Sequence, residues 1–216
     1  MQEQEHETSH ETVTKATDAK PPVKREGYLR QAWLVIVLSV LYGGILTWVQ
    51  ISLSGKIAEN KRLETYAQIP SLVPSAVQEK TVEHLIQGTD GKEAKVFQAC
   101  DENGQPVGWV FSASGQGFSD AVELLIGLDP TLTKLTGLYV LNQKETPGLG
   151  NFITGEDFTR QFAGKETSRP ITVTKAIPTD PQEIKAVTGA TISSQSVCDI
   201  VNGTIAKYKA AVLEIK

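Results

Sequence analysis

The sequence predicts an α+β domain, with a mainly antiparallel sheet packed by helices, that follows a single N-terminal membrane-spanning helix. Three observations support this fold class. A long uncharged segment lies near the N-terminus, short strand-like segments alternate with turns through the middle of the chain, and an amphipathic helix closes it. A chain of 216 residues is long enough for one domain of ordinary size beside these extra segments.

Composition excludes several classes of protein. The formal net charge of −4 provides no case for a nucleic-acid-binding chain, so no nucleic acid is expected as a partner. The two cysteines, Cys100 and Cys198, are too few and too far apart in sequence for a zinc cluster. They either form a disulfide or remain as two buried thiols, and their spacing does not decide between these alternatives.

Residues 1–30 are expected to form a disordered tail on the cytoplasmic side of the membrane. Its first part is rich in Glu, Gln and Thr and has few large apolar side chains to bury. His6 and His10 are four residues apart, which would place them on one face of a helix. Nothing in the tail favours a helix, so we interpret them as solvated histidines.

Residues 31–53 are predicted to form the membrane-spanning segment. The run QAWLVIVLSVLYGGILTWVQISL contains no charged residue and, at about 1.5 Å per residue, spans about 30 Å of hydrocarbon as a helix. Trp33 and Trp48 lie near its two ends, where amphipathic rings favour the membrane interface. A cleaved signal peptide would have a shorter apolar core that begins nearer Met1, so we expect an uncleaved anchor.

The distribution of cations predicts the orientation of the anchor. Five cations precede the span and three follow it: Lys15, Lys20, Lys24, Arg25 and Arg30, then Lys56, Lys61 and Arg62. Because cytoplasmic flanks carry the excess of Lys and Arg, the tail is expected in the cytoplasm of a single-pass protein of the inner or cell membrane. The rest of the chain is then extracytoplasmic (periplasmic).

Residues 54–75 are expected to be a juxtamembrane helix or linker, with the helix stopping before Pro70. Residues 76–216 form the predicted domain. Its expected strands are residues 94–100 and 106–113, joined in a hairpin by Asp-Glu-Asn-Gly, and then 121–129, 135–143 and 171–176.

Two amphipathic segments of the domain predict helices. Residues 155–163 carry Phe158 and Phe162 on one face of a short helix. Residues 193–213 place apolar side chains at intervals of three and four, which predicts a helix that packs on the sheet. These side chains are Val197, Ile200, Val201, Ile205, Tyr208 and Val212.

The candidate functional site centres on the motif T-G-A-T-I-S-S at residues 188–194. Gly189 and Ala190 keep the backbone bare beside the hydroxyl of Thr191, so a bulky group is able to approach it. The first turn of the following helix leaves N–H groups unpaired at the positive end of the helix dipole, which suits a phosphate. The alternative is a plain turn in which Thr191 or Ser193 caps the helix.

Two further glycine-containing segments bear on this site. Residues 145–150, E-T-P-G-L-G, place a carboxylate and a hydroxyl beside a proline turn whose glycines let a flat ligand approach the backbone. Residues 114–118, S-G-Q-G-F, form a glycine turn between strands. Each is otherwise explained as a surface turn. The domain has one histidine, His84, and no metal-ligand or phosphate-loop pattern, so redox or transfer chemistry would need a cofactor.

These three motifs together resemble the FMN-binding domain family. Residues 188–194 are similar to its flavin-attachment motif, residues 145–150 to its E-T-P-G-L-G motif, and residues 115–118 to its G-x-G-[YF] turn. With the N-terminal anchor, the chain over residues 30–213 resembles the G subunit of Rnf-type electron-transport complexes. One departure is Lys185, where many members have aspartate.

The resemblance implies a covalently bound FMN, esterified through its phosphate to Thr191. It also implies an electron-carrier subunit, not catalytic alone, of a translocase that couples ferredoxin:NAD electron transfer to Na⁺ or H⁺ transport. Its partners would be the other membrane and redox subunits of the complex, a flavin transferase and membrane lipid. The remaining cofactor-binding residues would be Thr188, Gly189, Ala190, Ser193, Ser194, Glu145, Thr146, Leu149, Gly150 and Gly117.

Within this assignment, Thr188 and Ser193 are expected to donate hydrogen bonds to phosphate oxygens, and Thr146 and Leu149 to contact the isoalloxazine ring. Two alternative functions remain. One is the C subunit of a sodium-translocating NADH:quinone reductase, which the resemblance also includes. The other is a membrane-anchored scaffold protein without flavin.

Overall fold

The computed structural model describes residues 26–215, which separate into two compact units with a boundary between Ser54 and Gly55. Residues 1–25, which hold most of the predicted tail with His6 and His10, lie outside the described residues. The element order is one long helix, a five-stranded sheet, a group of short helical turns, two short strands and a closing helix.

Helix α1 spans Glu26–Leu72 and contains the uncharged segment. The stretch Ala32–Leu72 is long and apolar enough to cross a membrane by length and composition, and its most apolar 18-residue window has a mean hydropathy of 2.1 with none of its residues buried. Exposed Leu, Val and Ile side chains on all sides of a helix suit lipid better than water. The structure thus has the apolar N-terminal helix that the sequence predicts.

The prediction that the helix stops before Pro70 is wrong. Helix α1 includes Pro70 and ends at Leu72, two residues later. Proline lacks the N–H that the helix would use, but its neighbours Ile69 and Leu72 are buried against the sheet. The burial of these two side chains outweighs the loss of one backbone hydrogen bond near the helix end.

Five antiparallel strands form the sheet in the order of the chain. They are β1 Val82–Gln87, β2 Glu93–Cys100, β3 Pro106–Gln116, β4 Ala121–Leu128 and β5 Leu135–Asn142. The predicted hairpin is confirmed, since β2 and β3 pair antiparallel across the turn at residues 101–105. Strand β1 was not predicted, because only Ile86 of its six side chains is buried and no apolar alternation marks it.

Each face of the sheet is covered by a helical layer. On one face, side chains of the last part of α1 pack on Phe97, Val110 and Leu125. On the other face lie the closing helix and the short helix α2, Glu156–Thr159, which is followed by a 3-10 turn at Arg160–Phe162. Phe158 and Phe162, which the sequence places on one face of a helix over residues 155–163, are both buried with their ring centroids 5.5 Å apart. The α-helix is shorter than predicted, because it ends at Thr159 and gives way to the 3-10 turn. The α+β class with a mainly antiparallel sheet is confirmed.

Two short parallel strands lead into the closing helix. Strands β6, Thr172–Thr174, and β7, Glu183–Lys185, pair in parallel, and helix α3 spans Thr191–Ile215. All six apolar positions predicted for this helix are buried. Strand β7 was not predicted, since three residues are too few to show a period. The pairing of β7 with β6 fixes the position of residues 186–190, which lead into α3.

The two cysteines are separate buried thiols. Cys100 ends β2, and Cys198 lies on α3 within the core between that helix and the sheet. Burial raises the pKa of the Cys198 thiol to about 12, and burial followed by the nearby Asp101 carboxylate raises the pKa of Cys100. Of the two alternatives, the structure has two buried thiols and no disulfide between Cys100 and Cys198.

The native chain should resist thiol reagents. With a pKa of about 12, the thiolate fraction of Cys198 at pH 8 is on the order of one in ten thousand. We expect no modification by a water-soluble maleimide at pH 8, and two additions per chain in denaturant, measured by intact mass. Ser168→Cys, at an exposed position, should add one rapid modification to the native chain. Rapid native labelling of Cys198 would contradict the buried position.

Candidate functional site

Three loops meet at one edge of the sheet because of strand direction. Strands β3 and β5 each run antiparallel to β4, so their carboxyl ends lie at the same edge. The G-Q-G-F turn follows β3 and the E-T-P-G-L-G loop follows β5. Helix α3, which packs on β3, brings its first turn to this edge as well. Segments far apart in sequence thus form one site.

These loops enclose a pocket of about 590 Å³. Nine of the eleven predicted site residues line it: Glu145, Thr146, Leu149, Gly150, Thr188, Gly189, Ala190, Thr191 and Ser193. The structure therefore brings the E-T-P-G-L-G and T-G-A-T motifs together around one cavity. Gly117 and Ser194 do not line the pocket, and both support its walls instead.

A buried carboxylate connects the three loops. The Glu145 side chain is only 4% exposed. Its Oε1 accepts hydrogen bonds from the backbone N–H groups of Phe118 at 2.9 Å and Ser119 at 3.1 Å. Its Oε2 accepts a hydrogen bond from the Ser193 hydroxyl at 2.7 Å. Every one of these partners is a donor, which suits an ionised carboxylate.

Glycines make room for this carboxylate. A Cβ at Gly117 would lie 2.4 Å from Glu145 Oε1, and a Cβ at Gly150 would lie 2.8 Å from Glu145 Oε2 and 2.9 Å from Ser193 Oγ. Both distances are too short for real atoms, so the loops approach Glu145 only because these positions lack a side chain. This is the structural role of Gly117 and Gly150.

Gly189 has a different function in the T-G-A-T turn. Its φ of +81° lies in the left-handed region that favours glycine. A Cβ there would lie 2.8 Å from Leu149 Cδ2, so the turn and the E-T-P-G-L-G loop are in close contact. The bare backbone at this position leaves the pocket side of the turn open.

Helix α3 begins at Thr191 without a side-chain cap. Thr191 is the first helical residue, and the residue before it, Ala190, has no side-chain oxygen. Within residues 26–215, no hydrogen bond is formed by the backbone N–H groups of Thr191, Ile192 or Ser193, nor by the Thr191 hydroxyl. The alternative in which Thr191 or Ser193 caps the helix is not observed.

The two serines of the motif point into the protein. The Ser193 hydroxyl donates to Glu145, so its proton is not free for the phosphate oxygen that we expected it to contact. The Ser194 hydroxyl accepts from the Val187 N–H at 3.0 Å and donates to the Ala190 carbonyl at 2.9 Å. Ser194 therefore holds the T-G-A-T turn against its own helix, and this contact rather than the pocket explains its position.

Several pocket residues were not assigned from the sequence. They are Phe118, Lys175, Ala186, Val187 and Ile192. Phe118 and Ile192 lie inside the recognised motifs, so their membership of these motifs could have identified them as pocket residues. Lys175 follows β6 and carries no motif, so only the pairing of β6 with β7 brings it to the pocket.

Lys185, the departure from the family pattern, lies outside this pocket. It ends β7, and its backbone N–H donates to Gln161 Oε1 at 2.7 Å. Its side chain borders a neighbouring hollow with Glu156 and Asp157. The pocket lining around Thr191 thus does not include the departing residue.

Removal of the Glu145 carboxylate should loosen all three loops at once. Glu145→Ala leaves two backbone N–H groups and one buried hydroxyl without their acceptor, and each such loss typically costs about 1–3 kcal/mol. We expect a fall of several kcal/mol in the free energy of unfolding, measured by denaturation in detergent. Glu102→Ala, in the exposed β2–β3 turn, is the control and should change it little. Equal stability of the two variants would contradict the role of Glu145.

The part of the chain that forms the site is similar to known proteins. Residues 117–206 match the FMN-binding domain family model, and they include residues 145–150 and 188–194 together with the last two residues of the G-x-G-[YF] turn. The G subunit of the ion-translocating oxidoreductase complex of Escherichia coli K12 is 30% identical over 152 residues, covering 67% of this chain and 73% of that protein. The G subunit of the Na⁺-translocating ferredoxin:NAD⁺ oxidoreductase complex of Acetobacterium woodii is 34% identical over 109 residues, covering 50% and 52%.

A solved structure shares the fold. The crystal structure of Shewanella oneidensis NqrC matches 58% of this chain and 62% of its own, with a TM-score of 0.52 and 20% sequence identity. At this identity the likeness shows the fold alone. The sequence relatives are the stronger finding, and by them this chain belongs to the family of G subunits of ion-translocating oxidoreductase complexes.

Proposed function

We propose that this chain carries FMN as a phosphoester on Thr191 Oγ and works as an electron carrier of an Rnf-type membrane complex. The observation that carries the proposal is the environment of Thr191. Its hydroxyl borders the pocket and, among the described residues, has no hydrogen-bond partner. A side chain that neither caps its helix nor bonds a neighbour is available for modification.

The residues around Thr191 fit the phosphate of a flavin. Three backbone N–H groups of the first turn of α3 are unpaired among the described residues, and they lie at the positive end of the helix dipole. The Thr188 hydroxyl also borders the pocket without a partner in the same part of the chain, so we assign it as a phosphate donor. The bare backbone at Gly189 leaves space for the phosphate and its ribityl chain.

The rest of the pocket fits the ring of the flavin. Its volume of about 590 Å³ lies within the usual range of about 300–1,000 Å³ for small-molecule sites. Leu149 and Thr146 of the E-T-P-G-L-G loop border it, and we retain them as ring contacts. Glu145 also borders the pocket, and its hydrogen bonds to the other two segments position the loops. Bound FMN would supply the electron-transfer chemistry that no side chain of the pocket has.

Membership in the G-subunit family supports a redox subunit of an ion-translocating complex over a scaffold without flavin. The Acetobacterium woodii relative belongs to a complex named for ferredoxin:NAD⁺ oxidation and reduction with Na⁺ translocation. We propose the same reaction class here, with Na⁺ or H⁺ as the transported ion. The partners would be the other membrane and redox subunits, a flavin transferase that attaches FMN, and the surrounding lipid.

We further propose that residues 31–53 anchor the chain in the membrane and that residues 76–216 form an extracytoplasmic flavin domain. The apolar surface of α1 supports the anchor, and the excess of cations before it supports a cytoplasmic N-terminus. An extracytoplasmic domain explains a covalent bond, because a dissociated flavin would be difficult to replace outside the cytoplasm.

Removal of the Thr191 hydroxyl should abolish attachment of FMN. Thr191→Val replaces the hydroxyl with a methyl group of similar size, so the fold should remain. After co-expression with a flavin transferase, the wild-type chain should gain the mass of FMN less one water and fluoresce on a denaturing gel. The variant should do neither.

Thr172→Val, on an exposed threonine of β6 outside the pocket, is the matched control and should carry FMN as the wild type does. A wild-type chain of unmodified mass in the presence of an active transferase would contradict the proposal. A wild-type chain that carries FMN on another residue would contradict Thr191 alone.

The orientation is tested with reporter fusions at the C-terminus of the full chain. Alkaline phosphatase folds and is active outside the cytoplasm, so this fusion should be active, whereas a fusion to green fluorescent protein exported by the same route should be dark. Replacing Lys15, Lys20, Lys24, Arg25 and Arg30 with Gln removes the charge bias and should lower phosphatase activity. A fluorescent and phosphatase-inactive pair of wild-type fusions would contradict the extracytoplasmic placement.

A further inference from the structure

Lys175 is a positively charged side chain that borders the pocket from the end of β6. Among the described residues that line this pocket, Lys175 is the one cation and Glu145 is the one carboxylate. The Glu145 oxygens accept from two backbone N–H groups and from the Ser193 hydroxyl, and Lys175 is not one of these donors. The positive charge at the pocket is therefore not paired with the carboxylate of the same pocket.

The Lys175 ammonium group also has no ion pair or hydrogen bond to any other residue in the part of the chain that the structure describes. Other lysines of the domain differ in this respect. Lys144 forms an ion pair with Asp120 at 3.3 Å. Lys165 donates a hydrogen bond to the Glu183 carbonyl at 2.9 Å. Because a lysine ammonium is a compact charge on a flexible stem, the unpaired Lys175 is able to meet a negative charge in the pocket.

The backbone fixes the place from which the Lys175 side chain extends. In the ladder of β6 and β7, the Ala186 N–H donates to the Thr174 carbonyl at 2.8 Å. The Ala176 N–H donates to the Thr174 hydroxyl at 3.2 Å, which holds the chain just after Lys175. Lys175 thus lies alongside Ala186, two residues before Thr188, and all three border the same pocket.

We propose that Lys175 places its charge beside the bound flavin and thereby favours the reduced form. This inference rests on the proposed function, because it names a residue that sets the reduction potential of the same FMN. When the ring takes up two electrons from a neighbouring redox subunit and one proton from water, it gains one negative charge. The Lys175 ammonium attracts that charge and so raises the reduction potential. The phosphate has the same charge in both forms, so its attraction to Lys175 leaves the potential unchanged.

Removal of this charge should lower the reduction potential of the flavin. Lys175→Met keeps the length of the side chain without the ammonium group. The full chain is loaded with FMN by co-expression with the transferase and purified in detergent at about 0.01 M salt, and intact mass confirms one FMN per chain. In a dithionite titration against reference dyes, the two-electron equilibrium constant should fall about tenfold, which is about 30 mV.

Two further variants separate the charge from the side chain that carries it. Lys175→Arg retains the charge and should keep the wild-type potential. Lys134→Met is the matched control, because Lys134 is exposed beside the first residue of β5 and the pocket lies at the other end of that strand. Its potential should also stay near that of the wild type. At about 1 M salt, where the screening length falls from about 30 Å to about 3 Å, the effect of Lys175→Met should shrink.

The failure of this inference is distinguishable from the failure of the proposed function. A wild-type chain without the FMN mass overturns the proposed function, and the role of Lys175 with it. Loaded wild-type and Lys175→Met chains of equal potential overturn the role of Lys175 alone, as does a difference that Lys175→Arg shares or that high salt leaves unchanged. Should Lys175→Met not become loaded, Lys175→Gln is measured instead. If neither neutral variant takes up FMN while Lys175→Arg does, the charge serves attachment and the inference is overturned.

Discussion

The pocket depends on one buried carboxylate and the three donors that it accepts. Glu145 joins the turn after β3, the loop after β5 and the first turn of α3, which are otherwise separate segments. A buried charge is costly unless hydrogen bonds compensate for it, so the three donors and the carboxylate require one another. Gly117 and Gly150 are part of the same arrangement, because a side chain at either position would occupy the space of the Glu145 oxygens.

The T-G-A-T-I-S-S motif divides its hydroxyls between two sides of the chain. The two serines are buried and hold the backbone, one through Glu145 and one through the Val187 N–H and the Ala190 carbonyl. The two threonines border the pocket and make no such contacts among the described residues. The motif thus combines buried hydroxyls that support the turn with hydroxyls that border the pocket. The support keeps the start of α3 in place, and the threonine hydroxyl remains available.

Much of this fold was predictable, because its signals are local. The hairpin of β2 and β3, the pair of buried phenylalanines and the apolar face of α3 all follow from patterns within a few residues. The predicted end of α1 before Pro70 was wrong because the burial of Ile69 and Leu72, which holds the helix together there, is a tertiary effect. Strands β1 and β7 were not predicted because their pairing with neighbouring strands, and not a local pattern, defines them. At the site, the motifs indicated the residues but not their partners. The hydrogen bond of Ser193 to Glu145 spans 48 positions, so no local pattern reports it.

The order of the strands bears on the maturation of the protein. Each strand of the sheet pairs with its neighbour in sequence, so the sheet is built from contacts that are local in sequence, a topology that favours fast folding. The pocket has the opposite character, since its contacts join Phe118 to Glu145 across 27 positions and Glu145 to Ser193 across 48. An unfolded chain therefore contains the threonine but not its surroundings. Under the proposed attachment of FMN to Thr191, an enzyme that recognises this shaped environment would act only on folded domains, and loading of the cofactor would then depend on completed folding.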